Sequence, residues 1–547
     1  MAKLCKEHEE MNNFPDQFYC VFLVLYAPGK KRVVVRRSTM VKALDALDRH
    51  PRRGEFNGND ARMQVDFVIE EPKPIDQPLN IEVGIDGLMI EGEDNTHFFL
   101  PADCFVRSIM SMGQLYEYLN RAYGEEYVRN SKMKTFRSQS FISVGTDWLS
   151  LYRGYPVVGE ITKKSLEYAV ELAMDHVKLT QQESGKFLYY YDPATNTTSE
   201  PFRNRPKNNE YYNILRHAGG GLLCLDYESY NNGGSTKKNI VKCIEYLING
   251  MVVEVVDGVE RAYVFSEKKG KLGGSGIGLY LLAYYEMFYK DDKYRVWAER
   301  LYHHLLAQIT ESGEFIYYNI YLNKKITEET NQQYFSFYYP GEALCGIASY
   351  LKLLPQDQRQ VGFEKSRKAL EFLLHVRPTT HAAHYASLPS DSWLMMAIHE
   401  MWEFPEMQKQ DYMQFVFDDA NKMISHMYTH EDSPYPDYVG SFYYEYGDHP
   451  YPDGSRCEGL VAAYELARKV GNEEVSKKVW DAMLLGAWSC MHLVNTPEST
   501  YSVANPVVTI GGVRLKLTRQ WFRIDTIQHV AGFYSKMLPY WDQEMKG

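Results

Sequence analysis

Six segments after about residue 210 place ionisable side chains beside glycine, serine or proline, next to an apolar stretch. The residues in them whose types can do chemistry are Arg216, His217, Lys271, Tyr338, Tyr339, Glu342, Asp391, Trp393, Arg456, Glu458, Arg523, Asp525 and His529. If each apolar stretch is a helix, its N-terminus carries partial positive charge, which stabilises carboxylates and anionic ligands. Because six such coincidences are improbable in purely structural turns, we predict that these residues surround one site.

The carboxylates of this set favour acid–base catalysis. We predict Asp391 as the general acid or base, with Glu342 or Asp525 as its partner carboxylate. Glu458 is a further catalytic candidate, paired with Asp453. In such a pair, desolvation keeps one carboxyl group protonated while the other stays ionised. Glycoside hydrolysis requires this division of roles.

The tyrosines and arginines fit a second chemistry. A uronate lyase or epimerase moves a proton with Tyr, His or Lys, and arginine neutralises the sugar acid and the developing enolate-like charge. Tyr338 and Tyr339 are therefore further catalytic candidates, and the sequence does not separate the two chemistries. The predicted substrate-binding residues are Arg216, His217, Lys271, Trp393, Arg456, Arg523 and His529.

Each candidate also has a structural explanation. Asp391 has the residue type of a helix N-cap, and Glu342 follows a proline in a predicted first helical turn, where acids offset the dipole. Arg523 and Asp525 have the charges of an internal ion pair. Arg456 and Glu458 could form ion pairs with neighbouring helices instead of contacting a substrate. The structural alternative for the remaining four residues is packing in the core: His217, His529, Tyr338 and Tyr339.

The elements that must position these residues are about twelve helical stretches, which begin after about residue 155 and occur in pairs. The second member of each pair is rich in small residues and nearly continuously apolar, which is typical of a helix buried on most sides. The first members, such as 292–308 and 473–491, are amphipathic. The second helices are predicted to begin near Tyr211, Ser275, Pro340, Asp391, Arg456 and Asp525.

This spacing indicates a quasi-repeat of six helical hairpins. We predict a mainly α protein, in which residues 151–547 form an (α/α)6 toroid of six inner and six outer helices that carries the site. An open solenoid of paired helices is the alternative.

Residues 1–150 are predicted to form a small α+β domain. Strand-type runs occupy 18–26, 33–37 and 63–69, and helical patterns occupy 39–49 and 106–121. The basic run 30–37 is interpreted as the solvated rim of a hairpin. The segment Gly-Ile-Asp-Gly-Leu-Met-Ile-Glu-Gly-Glu-Asp-Asn-Thr-His-Phe-Phe-Leu-Pro, which ends at Pro101, weakly resembles a strand–turn–strand of AMMECR1-like domains. That family has no settled activity, so the resemblance implies no chemistry.

Composition excludes several classes of protein. The 547 residues carry a net charge of −11, whereas nucleic-acid-binding proteins show a basic face. The longest apolar run, 18–26, is far shorter than the roughly 20 residues that span a bilayer. Residues 1–10 are acidic and polar, unlike a secretory signal, and the eight cysteines form no C-x-x-C pair. We therefore expect a cytoplasmic protein that binds neither nucleic acid nor membrane.

No cofactor or metal motif is convincing. The pairs His381-x-x-His384 and His426-x-x-x-His430 have ligand-like spacing but lie in no H-E-x-x-H motif. The glycine run 273–278 lacks both the G-x-G-x-x-G spacing and the P-loop lysine. We predict no cofactor and no metal.

The six segments resemble those of the six-hairpin superfamily of carbohydrate-active proteins, which includes glycosidases, lyases and sugar epimerases. The segment Trp-Phe-Arg-Ile-Asp-Thr-Ile-Gln-His, which ends at His529, also looks like the R-W-D-Y…H segment of heparosan-type glucuronyl C5-epimerases, with Thr526 where that family has tyrosine. The resemblance implies a carbohydrate-active enzyme acting on a small-molecule or oligosaccharide substrate, acidic if the enzyme is a uronate lyase or epimerase. The alternatives are an enzyme acting on a peptide or amino-acid-derived substrate and a non-catalytic binding or scaffold protein.

Overall fold

The computed structural model describes residues 14–545 except residues 77, 94, 202–210, 232, 267, 321–325, 386–390 and 444–449. The polar start, residues 1–10, lies outside this range. The chain divides into two compact units. The first contains the chain up to Glu160 and the segments Tyr190–Ser199 and His492–Phe522, and the second contains Ile161–Tyr189, Glu200–Met491 and the chain from Arg523.

The first unit is built on two antiparallel sheets. Its strands are β1 (Cys20–Tyr26), β2 (Val33–Arg37), β3 (Arg62–Val68), β4 (Lys73–Ile75), β5 (Gly87–Glu91), β6 (Thr96–Phe99), β7 (Lys132–Phe136), β8 (Ser138–Val144), β9 (Asp147–Tyr152), β10 (Tyr155–Pro156) and β11 (Tyr190–Tyr191). The larger sheet has the order β10-β9-β8-β3-β1-β2, and the smaller has the order β4-β7-β5-β6. Strand β1 pairs with a strand on each side and is buried along its whole length, as expected for a strand covered on both faces.

The helices of this unit are α1 (Met40–Asp48), α2 (Asp103–Val106), α3 (Met112–Tyr123) and α4 (Glu125–Asn130), and a single turn lies at Pro506–Thr509. The prediction of a helix at 39–49 is confirmed, and Thr39 caps it by accepting from the amide of Lys42. The helix predicted at 106–121 is interrupted, because Ser108 adopts a left-handed φ of 61° and Ser111 caps a new helix.

The second unit consists mainly of six helical hairpins. Written as outer and inner helix, they are α5 (Lys163–Thr180) and α6 (Ile214–Asn231), α7 (Lys237–Asn249) and α8 (Leu272–Tyr289), α9 (Arg295–Ala307) and α10 (Tyr339–Leu353), α11 (Gln360–Glu371) and α12 (Ser392–Met401), α13 (Gln410–Ser425) and α14 (Gly454–Lys469), and α15 (Glu473–Met491) and α16 (Ile524–Glu544). Short helices also occur at Glu328–Gln333, Arg377–Thr380 and Ala382–Tyr385.

The inner helices form a closed ring. Helix α6 packs on α8, α8 on α10, α10 on α12, α12 on α14 and α14 on α16, and α16 packs back on α6. The predicted (α/α)6 toroid is therefore confirmed, and the open solenoid is excluded because the first and last inner helices are in contact. The inner helices begin within a few residues of the predicted positions.

Small residues allow the inner helices to approach closely. A Cβ atom at Gly276 of α8 would lie 2.6 Å from backbone atoms of Ala343 in α10, and one at Gly346 would overlap the carbonyl of Gly276. Real Cβ atoms do not approach backbone this closely. Gly276, which belongs to the glycine run 273–278 that matches no phosphate-binding motif, thus has a packing role.

A four-stranded sheet, formed by the connections between the outer and inner helices of the second and third hairpins, was not predicted. Its strands, in pairing order, are β12 (Met251–Val256), β13 (Val259–Ser266), β14 (Lys269–Lys271) and β15 (Tyr318–Ile320). The signal was present, because Asp257-Gly258 follows a valine-rich run, and both residues adopt positive φ, as a tight hairpin turn requires. The last strand of the chain is β16 (Phe522–Arg523).

In the part of the chain that the structure describes, no helix combines the length and the apolar character needed to cross a membrane.

Two glycines of α8 provide a matched test of inner-helix packing. Gly276→Ala should lower the free energy of unfolding by about 1–3 kcal/mol, because the added methyl group meets the α10 backbone. Gly274→Ala is the control, since its nearest neighbours are side-chain atoms of Val264 at 3.8 Å and alanine favours the helix by about 1 kcal/mol. Urea unfolding measures both, and equal destabilisation of the two variants would contradict the packing account.

Candidate active site at the N-terminal ends of the inner helices

The N-terminal ends of neighbouring inner helices lie together at one end of the ring. A Cβ atom on Gly341, in the first turn of α10, would lie 2.5 Å from the amide nitrogen of Leu394 in the first turn of α12. A Cβ atom on Gly454, which begins α14, would lie 2.7 Å from the carbonyl carbon of His529 in α16. These contacts bring the ionisable groups of the six segments to one end of the toroid.

Asp525 lies between two arginines in the first turn of α16. Its carboxylate accepts hydrogen bonds from Arg523 at 3.0 and 3.1 Å and forms an ion pair with Arg216 of α6 at 2.9 Å. Burial favours the neutral acid, but Arg216 and Arg523 outweigh it and hold the pKa of Asp525 below its usual value. Asp525 is therefore ionised at neutral pH, and its ion pair with Arg216 links the last inner helix to the first.

The two arginines have further partners that the sequence analysis did not identify. Arg523 donates to Glu200 at 3.0 Å, and Arg216 donates to the hydroxyl of Tyr189 at 2.5 Å. Glu200 and Tyr189 precede the first inner helix, outside the six segments, so their spacing gave no signal. As a result, both guanidinium groups are already held by groups of the protein.

Glu342 is the contrasting carboxyl group. It lies in the first turn of α10 and is only 5% exposed, and its Oε2 has no hydrogen-bond partner in the described structure. A Cβ atom on Gly273 would overlap this oxygen, so glycine at 273 makes room for it. Burial and the nearby Asp391 raise the pKa of Glu342 to about 8, against the opposing effects of Lys271 and Arg216.

Asp391 has structural partners for both carboxylate oxygens. Oδ1 accepts from the amide of Leu394 at 3.2 Å, as an N-cap, and Oδ2 accepts from the fully buried Arg377 at 3.0 Å. Burial raises the pKa of Asp391 to about 6, although Arg377 opposes this. The backbone amide of Asp391 also donates to Asp419 at 2.9 Å. These contacts fix the start of α12, and Asp391 has less freedom to exchange a proton with a substrate than Glu342.

Of the two predicted tyrosines, Tyr339 lies near Glu342, whereas Tyr338 lies near Asp391 and Arg456. Tyr338 caps α10 and Tyr339 begins it, and the Tyr339 hydroxyl lies 3.3 Å from that of Tyr318. Burial raises the pKa of both Tyr338 and Tyr339 above the usual value. Both phenols therefore stay protonated at neutral pH and can act as hydrogen-bond donors.

A second charged group joins α14 and α16. Arg456 pairs with Asp453, the N-cap of α14, and His529 lies 2.7 Å from a Glu458 oxygen. Burial lowers the pKa of His529, but Glu458 outweighs this, so the pKa is raised overall. Lys536 donates to the other Glu458 oxygen at 2.7 Å. The predicted catalytic residue Glu458 is thus held between two basic groups.

The remaining predicted residues lie at different distances from this group. Lys271 is the N-cap residue of α8, and its charge lowers the pKa of Glu342. The ring of Trp393 lies 6.4 Å from the ring of His529. His217 is fully buried, with one ring nitrogen 2.9 Å from the Cys243 carbonyl and the other 2.6 Å from the Tyr212 hydroxyl. Burial lowers the pKa of His217 to about 4, so it is a neutral packing residue between α6 and α7.

Potential metal ligands lie elsewhere. Among the described residues, one set has ligand atoms within 4.8 Å of one another, namely Glu371, His375 and Asp411, which lie on the outer helical layer. One histidine of each pair with ligand-like spacing has another partner: His381 lies 2.7 Å from Gln332 and His426 lies 2.8 Å from the Lys422 carbonyl.

The raised pKa of Glu342 predicts that the difference in stability between the wild type and the Glu342→Gln variant depends on pH. The folded protein binds this proton more tightly than the unfolded chain, so Glu342 destabilises the fold progressively as pH rises from about 4.5 to about 8. Glu342→Gln should therefore gain stability relative to the wild type over this range, on the order of 1 kcal/mol per pH unit. Urea unfolding of both proteins at pH 5, 6.5 and 8 measures the difference, and a pH-independent difference would contradict a neutral buried Glu342.

Comparisons with known proteins give structural likenesses of low sequence identity. No protein-family model and no curated protein matches the chain, so the AMMECR1-like resemblance has no support there. The structure of a D-mannose isomerase is similar over 69% of this chain and 98% of its own, with 11% identity and a TM-score of 0.48. The GH76A α-1,6-mannanase of Salegentibacter sp. HEL1_6 is similar over 68% of this chain and 98% of its own, with 11% identity and a TM-score of 0.45. The cellobiose 2-epimerase of Bacillus thermoamylovorans B4167 is similar over 69% of this chain and 98% of its own, with 11% identity and a TM-score of 0.45. Likenesses at this level leave the activity of this chain to be argued from its own site.

Proposed function

We propose that the protein is a carbohydrate-active enzyme, a glycoside hydrolase that acts on a neutral sugar chain at the N-terminal ends of the inner helices. The observation that carries the proposal is the pair of unlike carboxyl groups. Glu342 is buried, has no hydrogen-bond partner for Oε2 among the described residues and is protonated at neutral pH, whereas Asp525 is ionised between two arginines.

Glu342 has the properties of the general acid. A carboxyl group with a pKa of about 8 keeps its proton at pH 7 and can donate it to a leaving-group oxygen. No described residue hydrogen-bonds to Oε2, so no group of the protein in the described ranges competes for a proton on this oxygen. Glu342 thus takes the role that was predicted first for Asp391, whose carboxylate oxygens accept from Arg377 and from the amide of Leu394.

Asp525 is the proposed partner carboxylate. Arg216 connects the two groups, because it pairs with Asp525 and also lowers the pKa of Glu342. An ionised carboxylate serves as a base towards water or stabilises positive charge on the sugar ring. Because Glu342 has a raised pKa and Asp525 a lowered one, the first can act as the acid and the second as the base, and this pairing supports hydrolysis.

The charge balance favours a neutral sugar over a uronate. Arg523 is held by Asp525 and Glu200, Arg216 by Asp525 and Tyr189, and Arg456 by Asp453. No excess of positive charge is left by these pairs for a sugar acid. The aromatic rings of Tyr338, Tyr339 and Trp393 offer apolar faces and polar tips, which suit sugar rings.

Thr526 also argues against the epimerase version of the chemistry. Its hydroxyl accepts from the amide of Arg523 at 3.1 Å and donates to the Arg523 carbonyl at 2.8 Å. Thr526 therefore supports the start of α16, at the position where the C5-epimerase segment has a tyrosine. The predicted cytoplasmic location and the predicted absence of a cofactor stay predictions.

The test is turnover of a panel of neutral oligosaccharides, followed by reducing-end release and by NMR of the products. Glu342→Gln should lower kcat by at least about 100-fold with little change in substrate binding, because it removes the proton donor. Activity of the wild type should fall as pH rises through about 8, where Glu342 loses its proton.

Glu329→Gln is the matched control, since it removes an exposed carboxylate from the same unit and should leave kcat unchanged. Retained turnover in Glu342→Gln would refute the assignment of the acid. Exclusive turnover of uronates without water addition, or of peptides, would refute the hydrolase proposal itself. An epimerised product with an intact glycosidic bond would do the same.

A further inference from the structure

The first unit contains a strongly basic cavity that is separate in sequence and composition from the inner-helix residues. Its volume is about 610 Å³. The basic side chains that line it are those of Lys30, Lys31, Arg32, Arg107, Arg121 and Arg519. Glu117 is the one acidic side chain among the described lining residues. This concentration of positive charge contrasts with the net charge of −11 of the chain.

Most of these basic side chains form no ion pair with a carboxylate of the described residues. Arg32 is the exception, because it pairs with the buried Asp103, with one hydrogen bond of 2.9 Å. Arg519 donates to the carbonyl of Ser108 at 2.7 Å, which leaves its charge in place. Over the described ranges, no carboxylate forms an ion pair with Arg107, Arg121 or Arg519.

Two buried polar atoms of the lining lack hydrogen-bond partners within the described structure. They are Nε of Arg107 and the hydroxyl oxygen of Ser502. The Arg107 guanidinium also lies over the ring of Tyr118 at 4.5 Å, which holds its plane in one orientation. A buried N–H or O–H without a partner is costly unless an acceptor satisfies it, so a ligand with several acceptor oxygens suits this lining.

The local backbone is fixed around the cavity. Ser108 adopts a left-handed φ of 61°, and its hydroxyl accepts from the amide of Gln520 at 2.9 Å. Gln520 in turn donates to the carbonyl of Phe105 at 2.9 Å. These bonds join the segment that follows α2 to Arg519 and Gln520, which are distant in sequence. The backbone next to Arg107 and the side chain of Arg519 are therefore fixed by hydrogen bonds within the first unit.

We propose that this cavity binds a small molecule that carries at least two phosphate groups. Arginine presents a planar fork of donors that matches phosphate oxygens, and lysines at the rim add point charges. The volume lies within the range of small-molecule sites and is too small for a folded nucleic acid. The basic run 30–37, interpreted from sequence as a hairpin rim, thereby supplies three of the six basic groups.

Calorimetric titration of the full chain with pyrophosphate, inorganic phosphate and citrate tests the proposal. Pyrophosphate should bind more tightly than inorganic phosphate, because it engages more of the basic groups. Citrate should bind at least about tenfold more weakly than pyrophosphate, because planar carboxylates match the site less well. The affinity for pyrophosphate should also fall as salt is added.

The double variant Lys31→Gln/Arg121→Gln changes two exposed side chains of the lining and should weaken pyrophosphate binding at least about tenfold. The matched control Lys42→Gln/Arg129→Gln removes the same charges from α1 and α4, outside the lining, and should bind as the wild type does. Absence of pyrophosphate binding, equal affinity for citrate, or equal weakening by the two double variants would each overturn the proposal.

Discussion

The ion pair between Arg216 and Asp525 is the interaction on which the second unit and its site both depend. Arg216 belongs to the first inner helix and Asp525 to the last, so their contact at 2.9 Å joins the two ends of the helical ring. Because the pair is largely buried, removing one partner would leave an uncompensated charge in the interior. The same pair fixes the ionisation state of Asp525, which connects closure of the fold with the chemistry proposed for it.

Three carboxyl groups at the inner-helix starts show how different surroundings produce different roles. Asp525 has two arginine partners and a lowered pKa, Asp391 has one arginine and a helix cap, and Glu342 has no hydrogen-bond partner for Oε2 in the described residues. Desolvation acts on all three, and the number of compensating donors decides the result. Glu342 is consequently the group most suited to hold a proton at neutral pH.

The sequence predicted the toroid well because its signals are local. Apolar, small-residue-rich stretches at regular intervals identified the six inner helices, and most of the candidate residues lie in or next to the first turns of those helices. The sequence did not show that the Asp391 carboxylate is bound by an arginine, because that arginine, Arg377, lies in a short separate helix outside the six segments. Glu200 and Tyr189 were missed for the same reason, because tertiary contacts decide their positions. The hairpin at Asp257-Gly258 had a recognisable turn signal, but the surrounding helical pattern obscured it.

The most direct test of the account is the pKa of Glu342 itself. It can be measured by NMR of the protein labelled with 13C at glutamate side-chain carboxyl groups, with the Glu342→Gln variant used to assign the resonance. If Glu342 is the protonated acid, one carboxyl resonance should titrate with a midpoint near pH 8 and should be missing from the Glu342→Gln variant. A midpoint near the ordinary glutamate value of about 4.3 would show that Glu342 is ionised at neutral pH, and it would contradict the proposed acid–base mechanism.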